Sequence, residues 1–206
     1  GSRITAATQL LTYSDMTIFE NRGRRTLNEA STVEEFLGLR ADLGAFALGS
    51  YFAELLETVS AEEYPDPPVL QLGLNSLYAL SRALCPPEQI KAVFELRLMC
   101  LAGYEPDLSC CARCGAPEPV EPWLSLRGGA VYCAQCRGAS SSAVTPLLPE
   151  TLAAMRHVVN ADPKKIFSFT LGDAGRRQLA RVCEEYTAMQ LERGFASLDY
   201  WKKVKD

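Results

Sequence analysis

The chain has 206 residues, 48% hydrophobic and 22% charged, the balance of an ordinary globular protein with a core of its own. The 21 Lys and Arg against 25 Asp and Glu leave a formal net charge of −4, which argues against attachment to nucleic acid by bulk charge and confines any such role to a local patch. One His, at 157, argues against His-based triads and multi-His metal sites; no apolar run reaches the roughly 18–20 residues of a membrane span, and no charged-then-apolar leader opens the sequence.

Residues 4–20 mix β-branched and aromatic side chains with partial alternation and read as strand, at least from Gln9 onward. Asn21-Arg22-Gly23-Arg24-Arg25 is a turn, and Thr26 to Ala30 starts a second strand. Two strands alone are marginal, so this hairpin calls for others beside it. Ser31-Thr32-Val33-Glu34 offers a capping box for a first long helix. Val33, Phe36, Leu37, Leu43, Phe46, Ala47, Phe52, Leu55 and Leu56 carry its helical spacing to about residue 59. A Pro-rich break at 64–68 precedes a second helix over about 69–84. Pro86-Pro87 opens a third, with Ile90, Val93, Phe94, Leu98 and Leu101 as its buried face. Lys91 and Arg97 flank that face and read as snorkelling side chains or the rim of a groove. Helical patterns resume at about 149–160 and 173–194, before a tail carrying Tyr200, Trp201, Lys202, Lys203 and Lys205. The expected fold is mainly α: a helical bundle with a small cysteine module inserted at 108–137 and a β-hairpin in front.

Four of the eight cysteines form two matched pairs, Cys111-Ala-Arg-Cys114 and Cys133-Ala-Gln-Cys136, around a segment that reads as a small hairpin from Trp123 to Tyr132. A C-x2-C pair repeated after such an interval reads as a structural zinc site. Two residues between thiols let both sulfurs reach one ion from a tight turn, and Gly115 suits the backbone that wraps it. Four thiolates close the coordination sphere, so one Zn²⁺ here organises the chain and does not catalyse. Competing readings are disulfides, a redox pair or an iron–sulfur cluster, and Cys110 is an alternative to Cys111 as the first ligand. Cys85, Cys100 and Cys183 sit in apolar helical patterns as small core residues.

Catalytic arrangements fail on inspection. There is no phosphate-cradling Gly loop with its Lys and no nucleophile elbow. The acid pairs Glu34-Glu35, Glu62-Glu63 and Glu184-Glu185 would point about 100° apart on a helix and form no dyad. The most suggestive polar feature is the hairpin tip, where Arg22, Arg24 and Arg25 fall within four residues. Forked guanidinium donors suit phosphate, although a solvated turn has the same composition.

Ordered motifs along the whole chain then resemble the bacterial RecO family of recombination mediators. They are Ala6-Ala-Thr-Gln-Leu-Leu-Thr-Tyr-Ser-Asp-Met, Thr26-Leu-Asn-Glu-Ala, Glu35-Phe-Leu-Gly-Leu-Arg, Ser50-Tyr-Phe-Ala-Glu-Leu, Phe94-Glu-Leu-Arg-Leu and Gly103-Tyr-Glu-Pro-Asp-Leu, the last followed by Cys111-x2-Cys114-Gly115. The resemblance implies an N-terminal oligonucleotide-binding (OB) barrel of which residues 1–30 are the C-terminal part, without its first three strands. It implies a helical domain at 31–206 with the zinc module inserted. The tip with Arg22, Arg24 and Arg25 becomes the loop between the last two barrel strands, one of the loops such barrels use on oligonucleotides. It further implies a non-enzymatic cytoplasmic, nucleoid-associated protein of the RecF pathway that binds single- and double-stranded DNA, anneals complementary strands and helps RecA load at gaps. RecR, single-strand DNA-binding protein and RecA are its implied partners, and no membrane is involved. The alternative is a zinc-stabilised protein-interaction module with no DNA binding of its own.

Overall fold

The computed structural model describes residues 3–62 and 64–205; Glu63 of the Glu62-Glu63 pair lies outside the described residues. The chain opens with a short helix α1 (Arg3–Ala7), then a hairpin of β1 (Tyr13–Asn21) and β2 (Arg24–Glu34). The expected strand over 4–20 therefore starts only at Tyr13. The two-residue loop Arg22-Gly23 has φ of 50° and 76°. Positive φ at both central residues is the turn whose twist matches antiparallel strands, and Gly23 adopts it without steric cost.

The expected capping box at Ser31-Thr32-Val33-Glu34 is corrected. These residues continue β2, with Thr32 opposite Ser14 and Glu34 opposite Tyr13, and Val33 is exposed. Pairing with β1 uses the backbone groups that a helix start would have needed. Glu34 instead accepts a hydrogen bond from the Phe36 N–H, at 3.0 Å. After a single turn, α2 (Leu37–Arg40), the first long helix is α3 (Leu43–Val59). Its cap is Asp42, whose Oδ1 accepts from the Ala45 N–H at 2.8 Å.

The helices α4 (Pro67–Ser81), α5 (Pro87–Leu101), α6 (Pro149–Asn160), α7 (Asp173–Leu191) and α8 (Ala196–Val204) complete the bundle. Prolines open α4, α5 and α6, where the missing N–H would have had no partner. The tail from Phe195 thus forms a helix, with Trp201 buried. α5 runs through the middle, packing on α3, α4, α6 and α7. Ile90 to Leu96 are buried without a break, so Lys91 lies inside the core and not at a groove rim. Phe94 of α5 stacks on Phe52 of α3 with ring centroids 4.2 Å apart.

Between α5 and α6, β3 (Trp123–Ser125), β4 (Ala130–Tyr132) and β5 (Val144–Pro146) form a three-stranded sheet in the order β4-β3-β5. The expected hairpin is present, and the segment Gly138-Ala-Ser-Ser-Ser142 after it leads into a third strand. Leu124 and Val131, cross-strand partners, are fully buried against the bundle. Among the described residues no helix is long and apolar enough to cross a membrane.

Candidate metal centre and nucleic-acid interface

Cys111 and Cys114 lie on one tight turn. The Gly115 N–H donates to the Cys111 carbonyl at 2.8 Å, and the Cys111 N–H donates to the Ala116 carbonyl at 2.8 Å. Gly115 has φ of 74° with open space where a Cβ would stand, so this turn closes without strain. Cys133 and Cys136 form a second turn just after β4, with the Cys136 N–H on the Cys133 carbonyl at 2.9 Å. The first turn is sewn to the sheet by the Ala112 N–H on the Val131 carbonyl, and the second is fixed by the Ala134 N–H on the Val120 carbonyl.

These turns bring the sulfurs of Cys111, Cys114, Cys133 and Cys136 within 4.8 Å of one another. Cys111 Sγ is 3.9 Å from Cys133 Sγ, and Cys114 Sγ is 4.0 Å from it. Four ligands about 2.3 Å from a tetrahedral Zn²⁺ stand roughly 3.8 Å apart, so the donor set fits that ion in number, softness and spacing. The sulfurs are free thiols, far beyond the roughly 2.05 Å of a disulfide. Cys110 points elsewhere, with the Ser109 hydroxyl 3.7 Å from its sulfur; the choice between Cys110 and Cys111 thus falls on Cys111.

The electrostatics of the cluster ask for a cation. Burial works to raise the Cys111 thiol, but N–H groups of Cys114, Cys133 and Arg113 hydrogen-bond its sulfur and bring the pKa down to about 6. The Cys136 thiol is pushed up to about 12, first by its hydrogen bond with Cys133. One thiolate forms readily and discourages the next, which a divalent ion reverses.

Arg156, on α6, clamps the module to the bundle. Its Nε donates to the Leu108 carbonyl at 2.7 Å and its Nη2 to the carbonyls of Pro117 and Ser109 at 2.7 and 3.2 Å, while Nη1 pairs with Glu118 at 2.9 Å. Arg97 of α5 donates to the Val158 and Val159 carbonyls near the end of α6, tying that helix end, and it also lines a cavity with Gln71, Asn75 and Leu101. On the sheet side, Gln190 of α7 donates to the Leu126 carbonyl at 2.7 Å. His157 bonds the Lys165 carbonyl and meets Phe169 edge-on, a packing role. Cys183 is buried in the core, whereas Cys85 and Cys100 are only half-buried.

The three arginines of the hairpin tip divide. Arg25 pairs with Glu20 at 3.1 Å and with Glu62, beyond the end of α3, at 3.0 Å. Arg22 and Arg24 have no side-chain partner among the described residues and project into solvent. Nothing in a single sequence marks Arg25 as the one that is occupied, because Glu62 lies far along the chain. The hairpin is held to the helices by the Arg40 guanidinium on Thr12 Oγ1 at 3.0 Å, and Leu11 comes close enough to Gly49 that a Cβ there would meet its Cδ1 at 2.7 Å.

Against known proteins, a family model described as Recombination protein O C terminal matches residues 40–199. DNA repair protein RecO of Acetivibrio thermocellus is 30% identical over 203 residues, covering 98% of this chain and 80% of that protein. DNA repair protein RecO of Heliobacterium modesticaldum is 32% identical over 192 residues, covering 89% of this chain and 68% of its own length. The same-named protein of Alkaliphilus metalliredigens is 28% identical across 98% of the chain. With a helical core matched over most of its length and the cysteine turns inside the matched span, the chain belongs to the RecO family of DNA repair proteins.

Proposed function

We propose that this chain is a non-enzymatic mediator of recombinational repair that binds DNA and partner proteins, promotes annealing of complementary strands and helps RecA load at single-stranded gaps. Membership of the RecO family carries the reading. In this reading β1 and β2 are closing strands of an OB barrel, residues 1–30 belong to that domain and 31–206 to the helical domain. Arg22 and Arg24, both exposed, meet phosphates at the tip. Arg25 spends its donors on Glu20 and Glu62 and serves to fix the hairpin's angle.

Cys111, Cys114, Cys133 and Cys136 would hold one structural Zn²⁺. When bound, that ion supplies a coordinatively closed tie between the two turns and no reaction chemistry. The protein's own contribution is to keep that tie in register with the core through Arg156, Gln190 and the Leu124–Val131 pair. A rigid module beside a helical bundle offers contact surface to RecR, to single-strand DNA-binding protein and to RecA. The work is done in the cytoplasm, at the nucleoid.

A gel-shift titration with single-stranded and gapped DNA, run beside a RecR pull-down, tests the reading. Both interactions are expected, and the absence of both would reject it. RecR binding without DNA binding would select a zinc-stabilised interaction module, which the net charge of −4 and the pairing of Arg25 favour.

A further inference from the structure

The hairpin register separates its side chains onto two unlike faces. Residues opposite one another across an antiparallel pair share a face, and alternate residues along β1 return to it, while β2 fits one extra residue, Asn28, into a bulge between the Thr17 and Ile18 rungs. Met16 faces Ala30, Ile18 faces Leu27, and Glu20 faces Arg25. The middle of that face is apolar, between Ser14 opposite Thr32 at one end and the ion pair of Glu20 and Arg25 at the other. On the other face Asp15 stands opposite Ser31, Thr17 opposite Glu29, Phe19 opposite Thr26 and Asn21 opposite Arg24. Around Phe19, which is 61% exposed, this second face is polar, with Tyr13 at its end away from the tip. A large aromatic ring is thus mounted among polar neighbours on the face opposite the apolar one.

Arg24 is the diagonal neighbour of Phe19, on the rung next but one toward the tip. Diagonal Cα atoms across a ladder are about 7–8 Å apart, within reach of long and aromatic side chains. The guanidinium of Arg24 has no partner among the described residues, and Asn21 adds an amide beside it. An aromatic ring for a base and an unengaged guanidinium for a phosphate are the two parts that single-strand binding combines. Acidic Glu29 lies one polar-face rung from Phe19, about 7 Å along the strand. It repels a backbone continuing in that direction, so the site accommodates one base at the tip end and not a long track.

We propose that Phe19 and Arg24 form a subsite for one unpaired base and its phosphate, making the hairpin selective for single-stranded over duplex nucleic acid. The inference rests on the DNA-binding reading above and deepens it. A duplex presents no open base face to Phe19, whereas an unpaired base of any identity does, so the subsite discriminates strandedness and tolerates sequence.

The test is fluorescence anisotropy of the full chain with a labelled single-stranded oligonucleotide and with its duplex, together with quenching of a 2-aminopurine base within the single strand. Phe19→Ala should lower single-strand affinity by about 5- to 150-fold, the equivalent of about 1–3 kcal/mol per stacked base. It should abolish the quenching and leave duplex affinity unchanged. Phe19→Trp should restore both single-strand signals, which a mere folding defect would not allow. Arg24→Ala should lower affinity and flatten the salt dependence, while Arg25→Ala should do neither. If Phe19→Ala leaves single-strand binding intact, or weakens strand and duplex equally, while Arg22→Ala/Arg24→Ala still weakens both, the subsite is wrong and the hairpin's DNA contact stands. If no hairpin variant changes binding, the hairpin reading falls with it.

Discussion

The Lys91 ammonium lies 2.9 Å from Glu184 Oε2 and 3.0 Å from Glu95 Oε1, although its side chain is only 1% exposed. Tyr51 adds a hydrogen bond to Glu95 Oε1 at 2.8 Å, and Lys202 of α8 pairs with Glu184. One buried cation therefore joins α5 to α7, and through these partners to α3 and α8. Burial alone would push Lys91 down, but Glu95 and Glu184 hold it above its ordinary 10.5. Burial raises Glu95 to about 6 despite Lys91 and Tyr51.

Replacing Lys91 by Met leaves the buried Glu95 carboxylate without a cation and Glu184 with only the more exposed Lys202. Loss of one member of a buried pair costs about 3–5 kcal/mol, so urea unfolding of Lys91→Met should shift by that order, and Lys91→Met/Glu95→Gln should recover most of it. The pH dependence has a definite sign. The stability that charged Lys91 supplies is present below pH 10.5 and is lost as pH rises through its raised folded-state value. Glu95 binds its proton more readily folded than unfolded, so its contribution grows as pH falls from about 6 to 4.5. Without Lys91 its pKa climbs further, and the variant should gain stability on acidification from neutral pH more steeply than the parent does. A flat profile for Lys91→Met across that range would show that Glu95 is not buried as a charge.

Arg156→Ala removes four hydrogen bonds between α6 and the segment from Leu108 to Glu118. Hydrogen bonds to a charged group contribute about 1.5–3 kcal/mol each at most, and exposure at Glu118 discounts that one. The expected result is local. Amide exchange should quicken across 107–118, while protection in α5 and α7 stays as it was. Equal loosening of the whole bundle would mean that the module and the core unfold as one unit.

Metal analysis should return about one Zn per chain. Chelation should lower stability, because folding of the two turns is coupled to the ion. Cys111→Ser should reduce the metal content, whereas Cys110→Ser should leave it at one, since only the Cys111 sulfur joins the cluster. Retention of full zinc by Cys111→Ser would overturn the ligand set.

Elements with strong local chemistry were readable from the sequence. Pro86-Pro87 marked a helix start, and the C-x2-C pairs marked the cysteine turns. What was hidden depended on partners distant in sequence. Ser31-Thr32-Val33-Glu34 carries a sound helix-start signal that lost to pairing with β1, because strand pairing is a tertiary fact. Lys91 and Glu95, four apart, look like a surface ion pair; only the packing of α5 on four other helices turns them inward. Arg156 sits on α6 as an unremarkable basic residue until the loop from Leu108 to Glu118 folds over it. Phe19 blended into an alternating strand, and its exposure followed only from the register that assigned its face.

Whether the exposed Arg22 and Arg24 at the hairpin tip hold single strands by phosphate contact is read in the salt dependence of single-strand affinity. Each phosphate neutralised contributes a slope of about −0.7 in log affinity against log salt. Replacing both Arg22 and Arg24 by Ala should make the slope shallower by about 1.4 and weaken binding at low salt. An unchanged slope in the doubly substituted protein would contradict the account.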